Sequence, residues 1–239
     1  MSATDLQAPM PGPSGRATSR DTIVQSVLDL FDAPSYLEVG VNQGKTFNSL
    51  SASAKVAVDP KFLFDYQALA KPDVRFHEIT SDAYFGSAEA VGDRFDVIYL
   101  DGLHTAEQTT RDLINAISFL KPGGVIIIDD VFPSSYPAAL PDRNHTRILR
   151  AATRDPAGAW MGDVYRVVFF VETFCQQFSY ATVTDNHGQL VMWQEPRQYV
   201  ANRTIAEVGL KEYKDIFLER EAFRSATLPS ILQKIKASR

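Results

Sequence analysis

The sequence predicts an α/β chain: a doubly wound, mostly parallel seven-stranded sheet with helices on both faces and an antiparallel hairpin towards its C-terminal end. Up to residue 130, strand-like segments alternate strictly with helix-like ones. The strand-like segments are continuous apolar runs such as "DVIYL" and "GVIII". Runs of that kind belong to parallel strands covered on both faces by crossover helices. In such a sheet, ligands bind beyond the carboxyl ends of the strands.

Each element follows in order. "DTIVQSVLDLF" sets Ile23, Val24, Val27, Leu28, Leu30 and Phe31 at helical spacing, with Asp21 as its cap. "SYLEVG" is the first strand, "GKTFNSLSA" the next helix, and "KVAVD" the second strand, ending on Asp59. "DYQALA" is helix-like, "VRFHEI" is the third strand, and "AYFGSAEAV" reads as helix or loop. "RFDVIYLD" is the fourth strand. "TAEQTTRDLINAISFL" is a long helix stopped at Lys121-Pro122-Gly123-Gly124, and "GVIIIDD" is the fifth strand. Beyond residue 131, "VFPSSYPAALPDRN" reads as a loop over the site and "HTRILRAATRD" as a helix. "GDVYRVVFFVETFC" reads as a helix capped at Gly162-Asp163. "FSYATVTD" and "QLVMWQE", joined at "NHG", form the hairpin.

Residues 1–20 are rich in Pro, Ser, Gly and Ala and read as a mobile tail; they lack the apolar core of a signal peptide. Residues 21–196 read as the main domain and the charged residues 197–239 as a helical extension. The net charge of −5, with no basic cluster, argues against a nucleic-acid binder. Cys175 is the only cysteine, which excludes an intrachain disulfide; its apolar context makes it a small core hydrophobe. No apolar run reaches membrane-spanning length, so the cytoplasm is the default location.

Polar residues gather where the strands end. In "LEVGVNQG", a strand, a glycine turn and a helix start make a nucleotide-type pocket, with Gly40 allowing the turn and Gly44 the close helix approach. Asn42 stands where a dinucleotide site would want its middle glycine, which suggests a nucleoside ligand without phosphates. Asp59, about twenty residues beyond Gly40, is placed to accept from both ribose hydroxyls; the alternative is a helix N-cap. Thr80, Ser81 and Asp82 follow the third strand and either pair with an adenine amino group or form a polar loop without a role. The fourth strand delivers Asp101 and the fifth Asp129 and Asp130, with His104 three residues after the first. Neighbours in an extended segment point oppositely, so one of Asp129 and Asp130 is expected to face away. His104 is a general base, an orienting residue or a solvated loop residue. His77 reads as core or rim, His145 as a residue that could reach substrate, and His187 as solvated.

With these residues in place, the chain resembles the class I S-adenosylmethionine-dependent methyltransferases. "YLEVGVNQGKTF", "VAVD", "TSD", "FDVIYLDGLH" and "LKPGGVIIIDD" occur in that family's order, over roughly residues 21–195. The resemblance implies a Rossmann-like methyltransferase fold and S-adenosylmethionine as cofactor. It sets Glu38 near the methionine part, Asp59 on the ribose, and Ser81 and Asp82 near adenine; Gly40, Asn42, Gly44 and Asp101 complete the cofactor set. The pair "DGLHTAEQTTRDL" and "GGVIIIDDV", with "AWMGDVYRVV", is similar to the metal-dependent sugar O-methyltransferases. In that subgroup the acids after strands four and five hold a divalent metal and the histidine acts as base. Asp101, Asp129 and Asp130 are then metal ligands, and His104 and Asp101 catalytic residues. Three carboxylates without a soft ligand suit Mg²⁺ first and Mn²⁺ second; the alternative is that each aspartate caps a helix.

The implied reaction is methylation of a hydroxyl on a small molecule, a saccharide or related polyol, with no nucleic-acid or membrane partner and with self-association left open. Three rival readings stand beside it: a catechol-like acceptor, a nicotinamide-dependent oxidoreductase, and a non-catalytic nucleoside-binding module. The G-x-x-x-G spacing and the crowd of carboxylates disfavour the oxidoreductase.

Overall fold

In the computed structural model, which describes residues 18–156, 158–186 and 188–239, the five apolar runs lie side by side as parallel strands. They are β1 (Ser35–Val39), β2 (Ala54–Val58), β3 (Val74–His77), β4 (Phe95–Leu100) and β5 (Leu120–Ile128). The hairpin β6 (Ser179–Thr182) and β7 (Leu190–Trp193) joins antiparallel to β5 through β7. The strand order is β3-β2-β1-β4-β5-β7-β6. The chain therefore winds outward from β1 to β3 and returns to lay β4 on the other side of β1. In sheets of this kind ligands bind at such a reversal, here beyond the carboxyl ends of β1 and β4.

Alternation along each strand divides the core in two. Leu37, Val39, Ile98, Leu100, Ile126 and Ile128 face one side. There they meet α4 (Ala106–Ser118) through Leu113, α6 (Arg166–Phe174) through Val168, and α7 (Ile205–Gly209) through Val208. Tyr36, Val97, Tyr99, Val125 and Ile127 face the other side. That face is covered by α1 (Arg20–Leu28), α2 (Lys45–Ser49) and α9 (Leu228–Ala237), through Ile23, Val27, Phe47, Ile231 and Ile235. Residues 197–239 thus feed both cores. Ile216 of α8 (Asp215–Leu218) and Phe223 enter the first, and Leu228 of α9 the second. The remaining helices are α3 (Ser81–Phe85) and α5 (Arg143–Thr153).

Local details depart from the sequence reading. The N-cap of α1 is Ser19, not Asp21, which sits in the first turn; Ser19 makes no side-chain cap. "DYQALA" supplies only a 3-10 turn over Gln67–Leu69. Lys121-Pro122-Gly123-Gly124 does not separate helix from strand: β5 already runs through it, at the cost of a register shift opposite Phe95 and Val97. Asp163 does not cap α6, whose N-cap is Tyr165; its Oδ1 instead accepts from the Ala106 N–H, 2.7 Å away, at the start of α4. The tail read over residues 1–20 lies outside the described residues up to 17, as does His187. Thr18 to Arg20 are held in place: the Thr18 N–H donates to the Asp185 carbonyl (2.9 Å) and Asn186 Nδ2 to the Thr18 carbonyl (2.8 Å). Among the described residues no helix is long and apolar enough to cross a membrane.

Candidate active site

Two corners make up the strand ends, and β1 belongs to both. Gly40 turns the chain after β1 at φ 87°. A Cβ on it would lie 2.0 Å from the Asp101 carbonyl oxygen, so only glycine lets the two turns touch. Asp59, at the end of β2, braces this turn. Its Oδ2 accepts from the N–H groups of Val41 and Asn42, both at 2.8 Å, and its Oδ1 from Lys61 N–H, also at 2.8 Å. Each carboxylate oxygen has two acceptor positions, so capacity for a ribose hydroxyl remains. Asn42 takes a left-handed φ of 49° on the rim, and Gly44 is the N-cap of α2.

Glu38 is 2 % exposed and accepts from Tyr36 Oη at 2.6 Å. Burial pushes its carboxyl up to about 8; the Tyr36 hydrogen bond and Lys55 oppose the shift, and Asp129 adds to it. Ser81 and Asp82 open α3, capped by Thr80. Both accept from Gln108 Nε2 of α4, at 3.3 and 3.2 Å, and Asp82 pairs with Arg111 at 3.2 Å. The half-exposed Asp82 carboxylate is therefore engaged with α4.

The second corner holds the acids after β4 and β5. Tyr36, Glu38, Tyr99, Asp101, Ile127 and Asp129 follow the same alternation, which carries Glu38, Asp101 and Asp129 towards the face that α1 covers. Asp129 is 1 % exposed and accepts from Tyr99 Oη at 2.7 Å, while Gln189 Nε2 donates to Tyr99 Oη at 3.1 Å. Asp130 does not face away, because the strand has ended: its φ is 59°, which turns the side chain inward, 3 % exposed. Asp130 Oδ2 lies 2.6 Å from His104 Nδ1. His104 is also left-handed, at φ 43°, with Nε2 3.8 Å from Asp101 Oδ1. Non-glycine residues held in this region mark over-determined sites. Trp160 stacks on the His104 ring at 5.0 Å, and its Nε1 donates to the Leu140 carbonyl at 2.8 Å. Gly162 closes on the same histidine; a Cβ there would lie 1.6 Å from the His104 carbonyl oxygen.

Arg20, from the first turn of α1, enters this cluster. Its Nε is 2.6 Å from Asp129 Oδ2, Nη1 3.5 Å from Asp101 Oδ2 and Nη2 3.4 Å from Asp130 Oδ1. Burial works against its charge, yet Asp129 and Asp101 more than offset this and raise its pKa. Burial, then Asp129, push the Asp101 carboxyl well above the usual range, with Arg20 opposing.

Donor atoms of Asp101, His104 and Asp130 lie within 4.8 Å of one another and could hold a metal ion. This set shares Asp101 and Asp130 with the three acids expected from sequence and adds His104, while Asp129 accepts from Tyr99 and pairs with Arg20. Asp101 Oδ1 is buried and has no hydrogen-bond partner among the described residues, which fits a ligand atom awaiting a cation. Two carboxylates and one imidazole suit Mn²⁺ at least as well as Mg²⁺.

The other expected residues lie elsewhere. His77 is a rim residue, 3.4 Å from Glu89 and against Tyr84, its pKa lowered by burial. His145 is exposed on α5. Cys175 is buried, and burial pushes its thiol up to about 11. The proline-rich segment after Asp130 is packed rather than open. Val131, Ala138 and Ala139 are buried, and the Ala138 carbonyl accepts from Met161 and Gly162, both at 3.0 Å. Sequence reasoning missed Arg20, Tyr36, Tyr99 and Trp160. Only the tyrosines carried a signal: each stands two residues before an acid, on the same strand face.

Residues 37–131, which run from β1 to just past Asp130, match a family model described as a methyltransferase domain. Among solved structures, the chain is similar to a Staphylococcus aureus protein described as a caffeoyl-CoA O-methyltransferase. The identity is 12 %, over 74 % of this chain and 85 % of that one, with a TM-score of 0.52. It is also similar to the O-methyltransferase TomG from Streptomyces achromogenes, involved in tomaymycin synthesis and solved with S-adenosylmethionine. There the identity is 16 %, over 77 % of this chain and 83 % of that one, with a TM-score of 0.51. At such identities the likeness shows the fold. No curated protein matches the chain.

Proposed function

We propose that the chain is a class I S-adenosylmethionine-dependent methyltransferase that moves the methyl group to a hydroxyl of a small molecule, a sugar or related polyol; the match of residues 37–131 to a methyltransferase domain supports this. One observation carries the reading: Asp101, His104 and Asp130 converge beside Gly40 and Glu38, where the cofactor's methionine half is expected. The neighbours' own descriptions as O-methyltransferases support oxygen as the acceptor atom.

The residues divide the work. Glu38 and the Gly40 turn receive the cofactor's cationic end, and Asp59 the ribose. The acceptor oxygen attacks the sulfonium methyl in line; the carbon–sulfur pair stays on sulfur, leaving a neutral thioether, and the hydroxyl proton passes to His104. The contact between Asp130 and His104 Nδ1 fixes the ring with Nε2 as the free base. Trp160, stacked on that ring, holds its plane and excludes water. A divalent cation held by the Asp101 and Asp130 carboxylates would lower the cost of deprotonating the hydroxyl. The adjoining carboxylates suit two vicinal hydroxyls, which favours a polyol.

The test is transfer of labelled methyl from S-adenosylmethionine over a panel of sugars, catechols and amines, with and without chelator. Methylated polyol, lost on chelation, is expected. Transfer to nitrogen alone, or none with any hydroxyl, would overturn the reading.

A further inference from the structure

Arg20 pairs with two of the carboxylates that a metal would use, Asp101 and Asp130. Its three guanidinium nitrogens lie 2.6–3.5 Å from carboxylate oxygens of Asp129, Asp101 and Asp130. A magnesium ion demands its oxygens at about 2.0–2.1 Å in near-octahedral array. The guanidinium takes Oδ2 of Asp101 and Oδ1 of Asp130, and a dication held by the same two carboxylates would stand close enough for the like charges to repel.

Arg20 is also poised to leave. It is the first residue of α1, its side chain is 37 % exposed, and Ser19 before it makes no side-chain cap. The segment leading to it is clipped to the β6–β7 turn by a few polar contacts: Thr18 to the Asp185 backbone and side chain, and Asn186 to the Thr18 carbonyl. These bonds are near the surface and can be exchanged for water at small cost. The same β6–β7 turn touches the site through Gly188, whose carbonyl accepts from Val131 N–H at 2.9 Å.

We propose that Arg20 is an internal counter-ion that gates the metal site: it neutralises Asp101, Asp129 and Asp130 while no metal is bound, and a divalent cation enters only as Arg20 and the strap of residues 18–20 withdraw. The inference rests on the metal reading above. It adds that metal entry and opening of the strap are one event, so the strand ends become accessible to acceptor only in the loaded protein.

The full-length chain is titrated with Mn²⁺ alone, followed by the ion's magnetic resonance, in wild type and Arg20→Ala, with Asp130→Asn as the site control. Backbone amide exchange is followed in parallel on wild type. Arg20→Ala is expected to bind Mn²⁺ about tenfold tighter or more, since it no longer has a cation to displace. In wild type, Mn²⁺ is expected to speed exchange at the amides of Thr18 and Ile23, which are held in the closed strap and first turn. Equal affinity in the two proteins overturns the gate and leaves the metal reading standing. Absence of Mn²⁺ from both removes the metal reading and the gate with it. Should Arg20→Ala not fold, the wild-type exchange decides: Mn²⁺ bound at the Asp130-dependent site with Thr18 still protected overturns the proposal.

Discussion

The two corners of the strand ends handle negative charge in opposite ways. At the β1–β2 corner, Asp59 accepts three backbone N–H groups at 2.8 Å. Neutral dipoles fixed by the fold satisfy it, and no cation is required. At the β4–β5 corner, Asp101, Asp129 and Asp130 are packed together with one arginine and one imidazole. Their mutual repulsion is offset by the charge of the Arg20 side chain. The first corner is a cradle braced by backbone N–H groups on Asp59. The second is a charge store whose arrangement depends on which cation occupies it.

The strongest way to break this contrast is to remove the charge from one corner. Asp130→Asn takes away a metal ligand and the partner of His104 Nδ1 together. Turnover is expected to fall by on the order of 10³-fold or more, several kcal/mol of transition-state stabilisation. Cofactor affinity should barely move if, as proposed, the cofactor is held at Glu38 and Asp59. Steady-state rates beside calorimetry of the cofactor would check this; a parallel loss of cofactor affinity would mean that the corners are not separate. His104→Ala is the next largest, a fall of about 10²–10⁴-fold if the residue is the base. Its metal affinity distinguishes base from ligand. Unchanged Mn²⁺ binding supports the base, while loss of binding would make the imidazole a ligand and leave the proton to another group.

At the other corner the effect is smaller and of a different kind. Asp59→Ala removes the acceptor for Val41, Asn42 and Lys61 N–H groups and, with it, the ribose partner. Cofactor affinity should drop by about 1.5–3 kcal/mol and the apo fold by on the order of 1–3 kcal/mol. Calorimetry and urea unfolding would measure the two. A loss of stability with full cofactor affinity would make Asp59 a turn brace alone.

The cradle was legible in the sequence and the charge store only partly so. Apolar β-branched runs reveal parallel strands because both faces are buried, and an acid or glycine after each run marks its carboxyl end. That logic finds Gly40, Asp59, Asp101, Asp129 and Asp130 without coordinates, whereas Glu38, inside its strand, is singled out by the family resemblance alone. It does not assign Asp129 to Tyr99, since that contact depends on strand order. Nor does it find Arg20, whose partners lie far along the chain, or the left-handed turns at His104 and Asp130, which no glycine announces. Trp160 is equally silent: its stacking on His104 joins two loops separated by α4, β5 and α5. The short helices after residue 197 are four to five residues long at α7 and α8, too brief to show a period, so their packing into both cores could not be read.

Glu38 lies between the corners, and its titration reports on both. In the unfolded chain a glutamate titrates near 4.3, while burial pushes Glu38 up to about 8. Between those values the folded protein keeps a proton that the unfolded chain has released. The contribution to stability is therefore fully present below about pH 4.3 and is lost as pH rises through about 8. The cofactor's positive charge favours the ionised form. Below about pH 8, binding must expel the proton, so affinity should climb with pH by at most about tenfold per unit and level off above about 8. Glu38→Gln should flatten both profiles. Arg20→Ala should shift the break upward, since Arg20 lowers the Glu38 pKa from the neighbouring corner. Calorimetry of cofactor binding across this range reads the break directly. A flat wild-type profile would place the ionised form of Glu38 in the apo protein already and would make the first corner independent of the second.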